Sequence, residues 1–476
     1  MSLRATKLEL LELLRTKLDQ LLAFLSDPLV ERLSHCHMTD FITGSYFQRL
    51  LPCHLRSELM GLSSDELSTL PTLKLLHINP KLVQNCPCLA DFLSSCSAVR
   101  LENLLNGSEL YQSPSNLIKE QWTSSRLEKV TLSDQMTEKK SHEVVELAWL
   151  VASVADAMQL RHVLDMGSGK GFLGSFLATC YGLHVIGADL VARDEDKSEK
   201  TRKRTETTWR SQLGHQKKQE EGSYTARTLR IDQSTKLEDV LWSSGEDPED
   251  VLLTGLHACG DLTTHAIQLF SKSDRVRACC LVSCCYHHVR ELHCEPAPGS
   301  SSFYGFPLSA YLREKRVKLG HTARMLSMQA VCRESSSAGQ SSLYWRALFQ
   351  QILLEHKQLP LSNCLGRLAK NCANFTQYCQ KALKKLDLPI LLSEEEILAY
   401  EAAYGEKTRL ELDAFCQVRI CVSPALEALF IMDRLYFLLE QDCVEFAAIT
   451  PIFDPTISPR CCGICAVKRP RAGSQR

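Results

Sequence analysis

Acidic residues close three of the β-strands that the sequence predicts. Asp165, Asp189 and Asp232 each follow an apolar, strand-like run, and the carboxyl ends of parallel strands meet at one edge of a sheet. Asp189 is suited to accept hydrogen bonds from two ribose hydroxyls, and Asp232 from an adenine amino group. Helix N-caps use the same residue type, so a structural role is the alternative. Three such acids in succession favour a nucleoside site.

A glycine-rich turn follows Asp165 and allows the backbone to approach a ligand closely. Gly169, Gly171 and Gly174 also have the G-x-G-x-x-G spacing of a dinucleotide site. Asp165 argues against a dinucleotide, because its carboxylate would repel a pyrophosphate bound to the backbone N–H groups of the turn. A cationic nucleoside with an amino group would be attracted, so the turn predicts S-adenosylmethionine as the cofactor; a dinucleotide site and a structural turn are the alternatives. The predicted cofactor-binding residues are Asp165, Gly167, Ser168, Gly169, Gly171, Asp189 and Asp232.

Polar clusters end the fourth and fifth predicted strands. Methyl transfer to oxygen or nitrogen often needs a base, and an imidazole titrates near neutral pH. We expect His257, His287 or His288 to be that base, and Tyr286 to orient the acceptor. The alternative is a set of packed polar residues that only shape a pocket. The candidate catalytic residues are His257, Asp261, Tyr286, His287 and His288.

A basic segment lies just before the first helix of the predicted core. We expect Lys139, Lys140 and His142 to bind the substrate, with the two lysines contacting phosphate. A solvated pair of lysines is the alternative interpretation.

The composition is that of a soluble globular chain without a dominant charge. The 476 residues include 55 basic and 56 acidic side chains, giving a net charge of −1, so no global field directs the protein to DNA or to acidic membranes. Neither a secretory signal nor a transmembrane segment is evident, and we expect an intracellular protein, cytoplasmic or nuclear. The 22 cysteines are then expected to be reduced. No cluster has paired C-x2-C spacing, so no metal is predicted. Protein partners are not indicated.

The order of predicted elements indicates an α/β fold. Residues 1–130 have helical periodicity, 131–290 alternate strand and helix, 291–440 form a mainly helical insertion, and 441–476 contain a hairpin and a basic tail. Alternation of strand and helix implies a parallel sheet, and the hairpin adds antiparallel strands at its end. The predicted strands are 161–166, 184–189, 227–232, 251–256, 277–285, 444–452 and 461–467.

The charged segment 193–222 separates the second and third predicted strands and is interpreted as an insertion. A solvated helix or loop is one interpretation of it, and a local RNA-facing patch is the other.

Several short motifs together resemble the methyltransferase-like protein 25 family. They are Lys139-Lys140-x-His142-Glu143, the turn 165–171, Leu256-His-x-Cys-Gly-Asp261, Cys284-Cys285-Tyr286 and Tyr304-Gly-Phe-Pro307. The resemblance implies a class I S-adenosylmethionine-dependent methyltransferase with a Rossmann-like sheet closed by an antiparallel C-terminal hairpin.

The acceptor is indicated less directly. The His-x-Cys-Gly and Cys-Cys-x-His pair is similar to that of tRNA acceptor-stem 2′-O-methyltransferases, which implies an RNA substrate. Adenine N6-methylases carry Asn or Asp, then Pro and an aromatic residue, where this chain has His257 to Asp261. A ribose 2′-hydroxyl is therefore at least as good a candidate as a base. The alternatives are an inactive fold that serves as a partner-binding scaffold and a methyltransferase for proteins or small molecules.

Overall fold

The structure is a computed structural model. It describes residues 5–73, 84–122, 125, 127–131, 136–190, 195–213, 222–241, 248–294, 304–329, 337–357, 365 and 368–471.

Seven strands form one mixed sheet in the order β3-β2-β1-β4-β5-β7-β6. The first five are parallel to one another, and β7 pairs antiparallel with both β5 and β6. The predicted class I methyltransferase architecture is thus confirmed, including the C-terminal hairpin. The strands are β1 (His162–Met166), β2 (His184–Asp189), β3 (Ser223–Thr228), β4 (Val251–Cys259), β5 (Val276–Cys284), β6 (Val444–Pro451) and β7 (Cys462–Lys468).

Helices make up most of the remaining described chain. The α-helices before β1 are α1 (Lys7–Leu25), α2 (Pro28–His35), α3 (Tyr46–Leu50), α4 (Cys53–Met60), α5 (Ser64–Thr69), α6 (Pro87–Ala98), α7 (Leu101–Leu104), α8 (Pro114–Gln121) and α9 (Glu138–Ala157). Those after β1 are α10 (Phe172–Tyr181), α11 (Glu195–Leu213), α12 (Leu237–Leu241), α13 (Leu262–Lys272), α14 (Ala310–Glu314), α15 (Gly320–Leu326), α16 (Ser337–Glu355), α17 (Phe375–Leu386), α18 (Glu394–Cys421) and α19 (Ser423–Glu440).

Helix α9 packs against the sheet and fixes the segment that carries the basic motif. The side chain of Thr137 accepts a hydrogen bond from the backbone N–H of Lys140 and so caps the helix. Eleven of its residues are buried, among them Val144, Leu147 and Val151, and they join the same apolar core as α10 and β4. Burial of that face holds the start of α9 in place.

The third strand lies earlier in the chain than predicted. β3 spans Ser223–Thr228, whereas the sequence pattern predicted 227–232. The strand contains only two apolar residues, Tyr224 and Ala226, and the alternating Leu229 and Ile231 directly after it have the same strand-like pattern. Asp232 consequently lies four residues beyond the strand end.

The segment interpreted as an insertion is mainly a crossover helix. α11 connects β2 to β3 and buries Trp209 completely, with its ring 4.9 Å from that of Phe176 on α10. Two basic residues of α11 are paired within the helix, since Arg202 lies 2.5 Å from Glu206 and Lys203 lies 2.6 Å from Glu199. The lysine pair at 217–218 lies outside the described residues.

The chain forms two compact units. One comprises Met1–Gln20, Leu101–Met328 and Glu427–Arg476, and contains the whole sheet; the other comprises Leu21–Arg100 and Gln329–Leu426. The boundaries of these two units do not coincide with those of the four segments predicted from the sequence. The second unit joins two distant parts of the chain, and one example is the hydrogen bond from Arg419 Nε to the carbonyl of Leu33 at 2.8 Å.

Capping boxes begin two helices of this second unit, with Ser63 and Glu66 at the start of α5 and Ser393 and Glu396 at the start of α18. Among the described residues, the helical stretch Glu394–Glu440 alone is long and apolar enough to cross a membrane, and 72% of that apolar window is buried inside the protein. Burial of this kind is typical of a core helix.

Candidate active site

The glycine-rich turn lies between the ends of β1 and β2. The N–H of Gly167 donates to the carbonyl of Ala188 at 2.8 Å, and the N–H of Gly169 donates to Asp189 Oδ2 at 2.8 Å. Gly167 and Gly169 have φ values of 78° and 57°, a left-handed conformation that favours glycine. The structure therefore brings the predicted turn and Asp189 together. Half-buried Ser168 lies in the same turn.

Tyr224 on β3 fills the space beneath this turn and was not among the predicted residues. A Cβ atom on Gly171 or on Gly187 would lie 2.4 Å from Tyr224 Oη, and one on Gly174 would lie 2.4 Å from Tyr224 Cε2. Burial raises the pKa of Tyr224 to about 12. Gly174 thus serves close packing of helix and strand, as the third glycine of such a motif does. Tyr224 was missed because β3 was predicted at 227–232, after this residue.

Asp165 lies within β1, one residue before the strand ends. Its side chain is 1% exposed, and neither carboxylate oxygen has a hydrogen-bond partner among the described residues. Burial raises the pKa of Asp165 to about 7, with Lys140 lowering it and Asp189 raising it further. An unpaired buried carboxylate is costly, and a cationic group is the ligand that would satisfy it.

Lys140 is the basic residue whose charge lowers the pKa of Asp165. Burial lowers the pKa of Lys140, while the charges of Glu143 and Asp165 raise it. Both lysines are half-buried, and Lys139 contacts Glu143 at 3.5 Å. The two lysines predicted to act together thus have different surroundings.

A histidine–glutamate pair lies at the end of β4, next to β1 in the sheet. Nε2 of His257 is 2.8 Å from Oε1 of Glu143 on α9, and the hydroxyl of Ser458 donates to the same oxygen at 2.7 Å. Burial alone would raise the pKa of Glu143, but the hydrogen bond and charge of His257, Ser458 and Lys139 together lower it to about 2. Glu143 therefore stays ionised and holds the imidazole.

The backbone at His257 is bent to aim this side chain. His257 has a φ of 64°, and the pairing of β4 with β5 shifts register between Leu256 and Ala258. Such bulges redirect side chains near functional sites. Nδ1 of His257 is buried without a hydrogen-bond partner among the described residues. The sequence analysis predicted His257 as a catalytic residue but did not identify Glu143 as its partner.

The loop between β6 and β7 covers this pair. The ring of Phe453 lies 6.0 Å from that of His142 and 6.4 Å from that of His257. Nε2 of His142 accepts a hydrogen bond from the N–H of Asp454 at 2.9 Å. His142, predicted to bind substrate, thus anchors this loop.

Two other predicted catalytic residues have structural partners. Asp261 accepts hydrogen bonds from the N–H and Nε of Arg290 at 3.0 and 2.6 Å. Tyr286 is fully buried, with its ring stacked on Phe430 at 4.8 Å and its hydroxyl 3.4 Å from Glu427. These contacts correct the expectation that Tyr286 faces an acceptor.

The remaining predicted residues lie at the edges of the site. The rings of His287 and His288 are 3.9 Å apart, and burial together with His288 lowers the pKa of His287. Asp232 accepts hydrogen bonds from the N–H and hydroxyl of Ser234 at 2.9 and 2.6 Å, which lower its pKa. Its carboxylate therefore orders its own turn.

Comparison with known proteins identifies the domain. A sequence-family profile described as "Methyltransferase domain" matches residues 139–292, a range that contains every residue predicted for the site. "Probable methyltransferase-like protein 25" from Mus musculus is 26% identical over 591 aligned residues, covering 96% of this chain and 97% of that protein. Nearly the whole chain is therefore similar to methyltransferase-like protein 25, and residues 139–292 match a methyltransferase domain. The Homo sapiens protein of the same name is 26% identical over 597 aligned residues, with the same coverage of 96% and 97%.

The profile match identifies residues 139–292, which contain the five parallel strands, as a methyltransferase domain. The end-to-end coverage also means that both compact units have counterparts in these relatives.

Proposed function

We propose that this protein is an S-adenosylmethionine-dependent methyltransferase whose acceptor is an oxygen or nitrogen atom of RNA. The observation that carries the proposal is the pairing of His257 with Glu143 beside the glycine-rich turn. Support for RNA comes from the motif similarity to tRNA 2′-O-methyltransferases. A ribose hydroxyl is a weak nucleophile, and an oriented base is the group that such an acceptor needs.

The buried charges fit the cofactor's methionine part, which carries an ammonium and a carboxylate. Asp165 has two unpartnered oxygens that would accept hydrogen bonds from the ammonium. Lys140, whose charge acts on Asp165, would balance the carboxylate; this assigns Lys140 to the cofactor, whereas the sequence suggested the substrate. Asp189, at the end of β2, would hold the ribose. S-adenosylmethionine supplies an electrophilic methyl group on a sulfonium centre.

His257 would act as the general base. With Nε2–H donating to Glu143, Nδ1 carries the lone pair and can take a proton from the acceptor. The ionised Glu143 fixes this tautomer and stabilises the imidazolium that forms, as a buried carboxylate does beside a catalytic histidine. Ser458 donates to Glu143 and therefore has a positioning role in this proposal.

Calorimetry and methyl-transfer assays test the two parts of the proposal separately. We expect purified protein to bind S-adenosylmethionine and to transfer labelled methyl groups to the RNA fraction of a cell extract. His257→Asn should lose transfer and retain cofactor binding. His184→Asn, at the opposite end of the parallel strands, is the matched control and should retain both.

The outcomes distinguish the competing functions. Label in the protein or small-molecule fraction would replace RNA as the acceptor class. Binding without transfer to any fraction would favour the partner-binding scaffold, and a folded protein that does not bind the cofactor at millimolar concentration would refute the proposal.

A further inference from the structure

Three cysteine thiols meet at the carboxyl ends of β4 and β5. Sγ of Cys259 lies 3.1 Å from Sγ of Cys284, and Sγ of Cys284 lies 3.6 Å from Sγ of Cys285. All three sulfurs are within 4.8 Å of one another. In a tetrahedral zinc site with Zn–S bonds of about 2.3 Å, sulfurs lie about 3.8 Å apart. The spacing is therefore close to that of a metal site.

We propose that Cys259, Cys284 and Cys285 bind one zinc-class divalent cation through three thiolates, with the fourth coordination position left to a non-protein ligand. Among the described residues, no further histidine, cysteine or carboxylate belongs to the cluster. Three protein ligands and an open position are the arrangement of catalytic rather than structural zinc sites. The spacing along the chain, with Cys259 separate from the adjacent pair, does not match paired C-x2-C motifs, which is why the sequence predicted no metal.

The backbone is bent specifically where these thiols converge. Cys285 has a left-handed φ of 54°, and Gly260, directly after Cys259, has a φ of 56°. The N–H of Gly260 donates to the carbonyl of Cys284 at 3.1 Å, which ties the two strand ends together. Holding a non-glycine residue such as Cys285 in this conformation costs a conformational free energy of roughly 1–3 kcal/mol. The bends at Gly260 and Cys285 accompany the convergence of the three thiols at one end of the sheet, where they can share one ion.

The residues around the cluster suit thiolate ligands. His287 and His288 follow Cys285 by two and three positions, and their rings lie 3.9 Å apart. A bound cation would be held by deprotonated thiols, and their protons would be released to solvent without any redox change.

The cluster is reachable and lies on the cofactor side of the sheet. Cys259 is exposed, so an ion can enter from solvent. Asp189, at the end of β2, is close enough for its charge to act on the Cys259 thiol. A cation here would therefore lie near the proposed methyl-transfer site and could bind a thiol or another soft donor at its open position.

Metal content of the full-length protein tests the proposal without any activity measurement. After reduction, chelation and anaerobic loading with zinc, mass spectrometry of the metal should find one equivalent more in wild type than in Cys259→Ser or Cys285→Ser. Cys461→Ser is the matched control, because Cys461 and Cys462 also have neighbouring sulfurs, 3.8 Å apart. This control should keep the wild-type content.

Cobalt substitution gives a second measurement. Co²⁺ bound by three thiolates should show sulfur-to-cobalt charge transfer that is lost in Cys259→Ser and Cys285→Ser, with circular dichroism verifying that both variants are folded. Equal metal content in wild type and both variants would overturn the proposal, as would equal loss in the Cys461→Ser control. A Cys259–Cys284 disulfide in protein alkylated directly in cells would also overturn it.

Discussion

Nε2 of His257 lies 2.8 Å from Oε1 of Glu143, although the two residues come from different elements and are 114 positions apart in the chain. Glu143 is buried on α9, while His257 lies at a bulge near the carboxyl end of β4. The pair connects α9 to the carboxyl end of β4, which lies next to the glycine-rich turn. Such a pairing orders one imidazole tautomer, and its energetic role can be measured.

Glu143→Gln should lower kcat for methyl transfer by about 10²-fold, the lower part of the range for general acid–base catalysis. The amide keeps the shape but loses the charge that stabilises the imidazolium. KM for the cofactor should be unchanged, since Glu143 does not belong to the proposed cofactor site. Glu146→Gln on the same helix, where Glu146 pairs at the surface with Lys129, is the control. An unchanged kcat in Glu143→Gln would remove the pair from the mechanism.

Asp165→Asn should stabilise the free protein in a pH-dependent way. The folded-state pKa of about 7 lies above the ordinary value of 3.8, so the folded protein holds a proton that the unfolded chain releases. The stability of wild type therefore falls as pH rises from about 4 to 7, and the variant should not show that fall. The gain at pH 8 is at most about 4 kcal/mol. Urea unfolding at pH 5 and pH 8 measures it, and equal effects at both would contradict the assigned ionisation.

The same substitution should weaken cofactor binding by about 10- to 100-fold, the loss expected for one hydrogen bond to a charged group. In wild type, affinity should also decline as pH falls below about 7, because protonated Asp165 no longer attracts an ammonium. Calorimetric titration across this pH range checks both effects. The control is Asp156, which is half-buried near the C-terminal end of α9. Asp156→Asn should bind the cofactor like wild type at every pH.

The local part of the site was predictable from the sequence, and the long-range part was not. Asp165, the turn and Asp189 follow from a strand that runs into glycines, because all of those signals lie within a few residues of one another. The partnership of Glu143 with His257 depends on how α9 packs against β4, which periodicity does not report. Ser458 completes it from 315 positions away.

Burial was the second property that the sequence could not supply. A tyrosine at a strand end is consistent with either a pocket wall or the core, and only the stacking of Tyr286 on Phe430 decides between them. Likewise, the sequence pattern predicted β3 four residues too late, so Tyr224 was not recognised as a residue beside the turn. The parallel sheet and its C-terminal antiparallel hairpin were predicted correctly, because alternating strands and helices followed by two adjacent strands leave few topologies.

Gly187→Ala should destabilise the domain through Tyr224. The added Cβ would lie 2.4 Å from Tyr224 Oη and 2.9 Å from Ser168 Oγ, and overpacking of this kind costs about 1–3 kcal/mol. Removing the hydroxyl with Tyr224→Phe should recover part of the loss, so the two substitutions should be non-additive in a double-mutant cycle. Denaturant unfolding of the four proteins measures the coupling. Strict additivity would mean that Tyr224 does not fill the space beneath the turn.

Tyr286→Phe should separate packing from chemistry at the end of β5. The ring stays stacked on Phe430, while the hydroxyl loses its contact with Glu427 at 3.4 Å. Loss of one such hydrogen bond costs about 1 kcal/mol and should lower Tm by about 2–4 °C. We expect kcat within about twofold of wild type, because the ring and the hydroxyl of Tyr286 are already occupied by Phe430 and Glu427. Differential scanning calorimetry and single-turnover methyl transfer give the two values. A large fall in kcat at unchanged Tm would return Tyr286 to the catalytic residues.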